Sequence, residues 1–140
     1  MTDNTAWPTE LRVAQDRKSL LVAFDDGYSG TISAELLRVR SPSAEVQGHS
    51  PSERKTVPGK IHVMILGVEP VGNYAIRIRF DDMHDSGIYG WPLLRHFASQ
   101  GEAVMAEYEA ELSEKGLSRE PKGTRSDNGY GSVWIRGLIV

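Results

Sequence analysis

The chain has no cysteine among its 140 residues. That one absence excludes disulfides, iron–sulfur ligation, thiolate zinc sites and cysteine nucleophiles. It also fits a reducing compartment, so a cytoplasmic location is expected. Long apolar runs are missing as well: no stretch approaches the roughly 20 residues that a membrane helix needs. The polar start Met1–Thr5 ahead of Trp7-Pro8 does not read as a signal peptide. Basic charge is not in excess, with 16 Lys and Arg against 19 Asp and Glu and a net charge of −3. Nucleic-acid affinity rests on neutralising phosphates, so neither a nucleic acid nor a membrane is expected as a partner. No P-loop, dinucleotide fingerprint, HExxH or GxSxG pattern occurs.

What is present suffices for one core. Hydrophobic residues make up 39% of the chain, and a domain of this length buries roughly two-thirds of its unfolded surface without staples. Leu11 and Val13 alternate with polar neighbours, and Ser19 to Phe24 is an apolar run of strand length. Asp25-Asp26-Gly27 predicts a hairpin turn into a strand from Tyr28 to Ile32, after which Ser33 caps a short helix from Ala34 to about Val39. Residues 41–60, rich in Pro and Gly, read as a loop. Lys60 to Leu66 and Tyr74 to Phe80 alternate in hydropathy, predicting an antiparallel hairpin turning at Pro70-Val71-Gly72-Asn73. Ser86 is a candidate cap, a helix is expected to start near Trp91 because Pro92 suits a first turn, and a further amphipathic helix covers Glu102 to Lys115. A polar linker from Leu117 leads to the strand-like run Val133 to Val140, which could pair with a sheet edge of its own or of a second copy.

Chemistry is concentrated in one corner. Asp81, Asp82, His84 and Asp85 place carboxylates and an imidazole within a few residues, a donor set that zinc or iron accepts. His84, Asp81 and Asp85 are the candidate metal ligands, with His49 or His62 as further donors. An acidic turn with a structural His84 is the simpler alternative. His62 is expected beside Asp81 or Met83 on the neighbouring strand. Ser41-Pro42-Ser43 lacks the surroundings of a serine nucleophile. Arg77 and Arg79 with Lys60 form a basic face that a solvent-facing strand explains equally well.

Three strings in order carry a resemblance. They are Leu36-Leu37-Arg38 running into Ser41-Pro42-Ser43-Ala44-Glu45-Val46-Gln47-Gly48-His49, then Glu69-Pro70-Val71-Gly72-Asn73-Tyr74-Ala75, then Phe80-Asp81-Asp82-Met83-His84-Asp85-Ser86-Gly87-Ile88-Tyr89 with Trp91. From about Leu11 to Gln100 the chain resembles the N-terminal domain of γ-butyrobetaine hydroxylase and trimethyllysine hydroxylase, a domain shared with small bacterial proteins of unknown function. The resemblance implies a non-catalytic domain, because in those hydroxylases iron and 2-oxoglutarate sit in a later jelly-roll domain. It also implies a structural zinc held by three cysteines and a histidine. Carried across, these positions fall on Ser41, Ser43, Val46 and His84, so three thiolates are lacking and the zinc is expected to be lost. The same domain type occurs attached to iron–sulfur carrier P-loop proteins, which implies an accessory role near iron or iron–sulfur metabolism by association.

The resulting expectation is an α+β domain at 1–100, an added helix at 101–116 and a tail at 117–140. The function expected is a non-catalytic accessory or protein-interaction module with no cofactor and a protein partner, a homodimer being compatible with it. Its interaction surface comprises Ser43, Glu45, Gln47, His49, Asn73, Tyr89 and Trp91. A metal-binding protein using residues 81–85, with zinc or iron, and an uncharacterised enzyme are the alternatives.

Overall fold

The computed structural model describes residues 6–121. The run Val133 to Val140 lies outside them. Two three-stranded antiparallel sheets, β1-β2-β3 and β4-β5-β6, pack with one long helix into an α+β fold.

The first sheet follows the expected alternation. β1 (Pro8–Val13), β2 (Ser19–Phe24) and β3 (Ser29–Ser33) form a meander in which Leu20, Val22, Phe24 and Ile32 face inward. Gly27 takes φ +91 in the β2–β3 turn, and Asp26 Oδ1 accepts from Tyr28 N at 3.1 Å, so the Asp-Gly signal is used as its chemistry dictates. Ser33 Oγ accepts from Leu36 N at 3.0 Å and starts α1 (Ala34–Val39).

The second sheet departs from expectation at its start. Strand structure begins at Ile65, not at Lys60, and β4 runs Ile65–Val71. The reason is where the preceding N–H groups go: Gly59 N and Ile61 N donate to the carbonyls of Ser118 and Arg119, and Met64 N donates to Asp81 Oδ1. His62 is exposed, 3.9 Å from Glu120, and the residue that pairs with Asp81 is Met64, not His62. Pro70, expected in the turn, is tolerated inside β4 because that strand is an edge. β5 (Ala75–Phe80) matches its pattern, with Ile76, Ile78 and Phe80 buried and Arg77 and Arg79 exposed, both close to Glu69.

Ile88 to Gly90, expected as the approach to a helix, instead forms β6 (Ile88–Gly90) against β5. Gly90, not a serine, is the N-cap of α3 (Trp91–Glu114), and Pro92 lies in its first turn as expected. The two expected helices are one, bent where Gln100 leaves helical geometry (φ −115, ψ 21) ahead of Gly101. Leu94 and Phe97 from its first half join the two sheets in the main core; Tyr108 and Leu112 from its second half pack on Val39 in a smaller one. Gly116, at φ +66, follows the last turn.

Candidate functional site

The segment leaving α1 is short and polar, yet it is buried. Ser41 is fully buried and Ser43 nearly so, while α2 (Ala44–Gln47) turns the chain back outward. Ser43 occupies the N-cap of α2 without capping it, because its hydroxyl is drawn elsewhere. Gly48 ends this turn at φ +69, where an added Cβ would lie 2.7 Å from Glu53 Cβ.

What draws the serines is His84. The tight turn after β5 presents it: Phe80 N donates to His84 O, Met83 N to Phe80 O, and His84 N to Asp82 Oδ1 at 3.1 Å. Met83 takes φ +74, a left-handed conformation costly for a long side chain. The imidazole then lies with Nε2 2.9 Å from Ser41 Oγ and 3.4 Å from Ser43 Oγ, and Nδ1 2.9 Å from Glu45 Oε1. A carboxylate only accepts, so Nδ1 carries the proton toward Glu45, and Nε2 accepts from Ser41. Burial, aided by the Arg38 guanidinium, holds the His84 pKa below its ordinary 6.5 against the pull of Glu45 and Asp82.

A charged layer backs this arrangement. Asp82 lies 2.7 Å from both Arg38 Nε and Lys60 Nζ. Burial opposes its ionisation, but Lys60, the His84 N–H and Arg38 outweigh burial and hold it at about 2. Close packing seals the other side: a Cβ on Gly87 would come within 2.5 Å of Ser41 Oγ and 3.0 Å of the Tyr89 ring. Tyr89 is fully buried and donates its hydroxyl to Leu37 O at 2.6 Å.

The serine, histidine and glutamate stand in the order of a nucleophile relay, but the chemistry does not follow. Ser41 Oγ is inaccessible beneath Gly87 and Tyr89 and already accepts from Ser43 N at 3.3 Å, so no substrate carbonyl reaches it. The residues do not fit a zinc either. Ser41 and Ser43 do converge on His84 Nε2, where the resemblance puts two thiolates, but they offer neutral hydroxyls, and buried Val46 offers no donor. Asp81, His84 and Asp85 are not brought together: Asp81 is spent on Met64 N, Asp85 is exposed, and both His84 nitrogens are taken. Among the described residues no group of three His, Cys, Asp or Glu side chains is placed to hold a metal ion.

Of the residues expected at an interaction surface, Glu45 and His49 are exposed, Gln47 is half-buried and donates to Ser41 O at 2.9 Å, and Ser43 is buried. Asn73 is exposed in the β4–β5 turn, where its carbonyl accepts from Trp91 Nε1 at 3.1 Å. Tyr89 is removed from any surface by its burial. The residue that sequence reasoning overlooked is Met83, 83% exposed at the tip of the His84 turn. Its signal was present in the sequence, a long apolar side chain within an acidic turn.

This geometry defines a small α+β domain whose polar corner is structural, with the faces around it left open. The family described as gamma-butyrobetaine hydroxylase-like, N-terminal, matches residues 11–95, and the chain belongs to it. Two solution NMR structures are similar at 38% and 40% identity, each with a TM-score of 0.73; they cover 91% and 94% of this chain and 100% and 99% of their own. A crystal structure of a protein of unknown function from Acidithiobacillus ferrooxidans, of the DUF971 family, is 35% identical over 64% of this chain and 89% of its own, with a TM-score of 0.53. No curated protein matches the chain. Among the described residues no helix is long and apolar enough to cross a membrane.

Proposed function

We propose that this domain is a non-catalytic interaction module, and that its binding face is the rim of the His84 corner. The supporting observation is the contrast between inside and outside. Buried hydrogen bonds fix the segment 41–48 to the turn 80–84. That turn in turn holds Met83 out in solvent on a strained backbone, next in sequence to the His84 that Glu45 contacts, and the exposed Glu45 carboxylate also accepts from Ser86 Oγ at 3.3 Å. A flexible, polarisable methionine on a rigid platform suits a protein contact. Family association makes iron–sulfur carrier proteins the first partner class to try.

A photo-crosslinking residue at position 83, with one at Glu102 on the exposed side of α3 as control, tests this in cells. A discrete adduct from position 83, absent from position 102 and lost when Glu45 is replaced by Arg, is expected. Equal adducts from both positions, or none from position 83, would remove the proposal.

A further inference from the structure

A second concavity lies on the other side of the segment that follows α1. It is an open hollow of about 320 Å³ between α3 and residues 40–54. One wall is apolar, built from Leu93, Phe97 and Val104 of α3. The facing wall is cationic and amide-bearing, with Arg40, Arg54 and Gln47. His96 and Glu107 complete the rim. The larger groove beside β3, about 610 Å³, has Glu102 as its one charged lining residue and nothing cationic to orient an acid.

The charges here are unevenly satisfied. The Arg40 side chain is 5% exposed and cannot shed its charge, so it needs carboxylates. Glu111 serves both guanidiniums, 2.9 Å from Arg40 and also bonded to Arg54, which leaves two cations on one firm partner. The second partner of Arg40 is Glu107, a 62% exposed side chain at a long 3.4 Å. Arg54, 30% exposed, uses one amine on Glu111 and keeps further N–H donors at the cavity.

We propose that this cavity binds a small organic carboxylate, its apolar body against Leu93, Phe97 and Val104 and its carboxylate between Arg40 and Arg54 in place of Glu107. The volume is at the lower end for small-ligand sites, and an apolar wall with a few convergent polar groups is their usual construction. A guanidinium pair suits a carboxylate through parallel N–H donors. The site is independent of the rim of the His84 corner.

The test is an NMR titration of the full 140-residue chain with hexanoate, using hexanol and hexylamine as neutral and cationic controls. Saturable shifts at the Gln47 side-chain amide, the His96 ring and the Val104 methyls are expected from hexanoate and not from the controls. Arg54→Gln should weaken binding about tenfold, the loss of one hydrogen bond to a charged group. Glu107→Gln should tighten binding by removing the competing carboxylate. Absence of saturable shifts, equal binding of hexanol, or an unchanged affinity in folded Arg54→Gln would overturn the proposal. If Arg54→Gln does not fold, Glu107→Gln decides: tighter binding supports the site, and unchanged or weaker binding overturns it.

Discussion

On one side of the segment that leaves α1, His84 is held by two serine hydroxyls and a solvent-facing carboxylate; on the other, Arg40 is held by two carboxylates and an aromatic face. Both side chains are buried and both tie residues 40–54 to a distant part of the chain. The difference lies in what burial does to each charge. An imidazole in a dry site sheds its proton, so the His84 corner needs only hydroxyls in its interior and one carboxylate at its solvent edge. A guanidinium cannot do so, and Arg40 is stable only because Glu111 and the face of Tyr108, 5.7 Å from it, receive its charge. Burial opposes ionisation of Glu111, but Arg40 and Arg54 outweigh it and hold its pKa below the usual carboxylate range. Burial and Glu35 push the Tyr108 hydroxyl up to about 12, and that hydroxyl donates to Val57 O.

The largest effect should come from the charged side. Glu111→Ala leaves Arg40 buried without its main partner and should lower stability by about 3 kcal/mol in urea unfolding. A loss below about 1 kcal/mol would mean that Glu107 alone satisfies Arg40 and that the two sides depend equally little on charge. His84→Ala removes a buried ring and leaves the Ser41 hydroxyl proton without its acceptor, with an expected loss of about 2 kcal/mol measured the same way.

Acid should separate the two sides. The folded pKa of His84 lies below its unfolded 6.5, so the unfolded chain binds the extra proton first. The stability this histidine contributes is complete above 6.5 and is lost as pH falls below it. Asp82, held at about 2 against 3.8, contributes stability above 3.8 that disappears at much lower pH. Unfolding midpoints should therefore decline in two steps on acidification, and His84→Ala should abolish the upper step alone. A single step unchanged by that substitution would show that His84 does not couple to folding. The smallest effect is at Met83: glycine there relieves the positive φ of +74 and should stabilise the fold by up to about 1 kcal/mol, since the side chain is 83% exposed.

The legible parts of this fold were those set by local rules. The Asp26-Gly27 turn, the Ser33 cap, the alternation of Ile76, Ile78 and Phe80, and the start of α3 beside Pro92 all depend on near neighbours in sequence. The failures share a different cause. Residues 60–64 have a strand's alternation, but the 118–119 segment and Asp81 take their N–H groups, partners that no local pattern names. The burial of Tyr89 has no local signal, because its hydroxyl's partner, Leu37 O, lies 52 residues away. The same holds for the site. His84 stood out as a candidate, and the resemblance named Ser41 and Ser43 as the positions facing it. That Glu45 would close the other side of the ring, and that Arg40 would share Glu111 with Arg54, depended on tertiary packing alone.

The central claim is that the corner is held by a neutral His84 protonated at Nδ1. Nitrogen-detected NMR of the imidazole near neutral pH tests it directly. The account predicts a neutral ring with Nδ1–H donating to Glu45 and an unprotonated Nε2 accepting from Ser41, titrating below 6.5. A ring carrying both protons at that pH, or the Nε2–H tautomer, would contradict it.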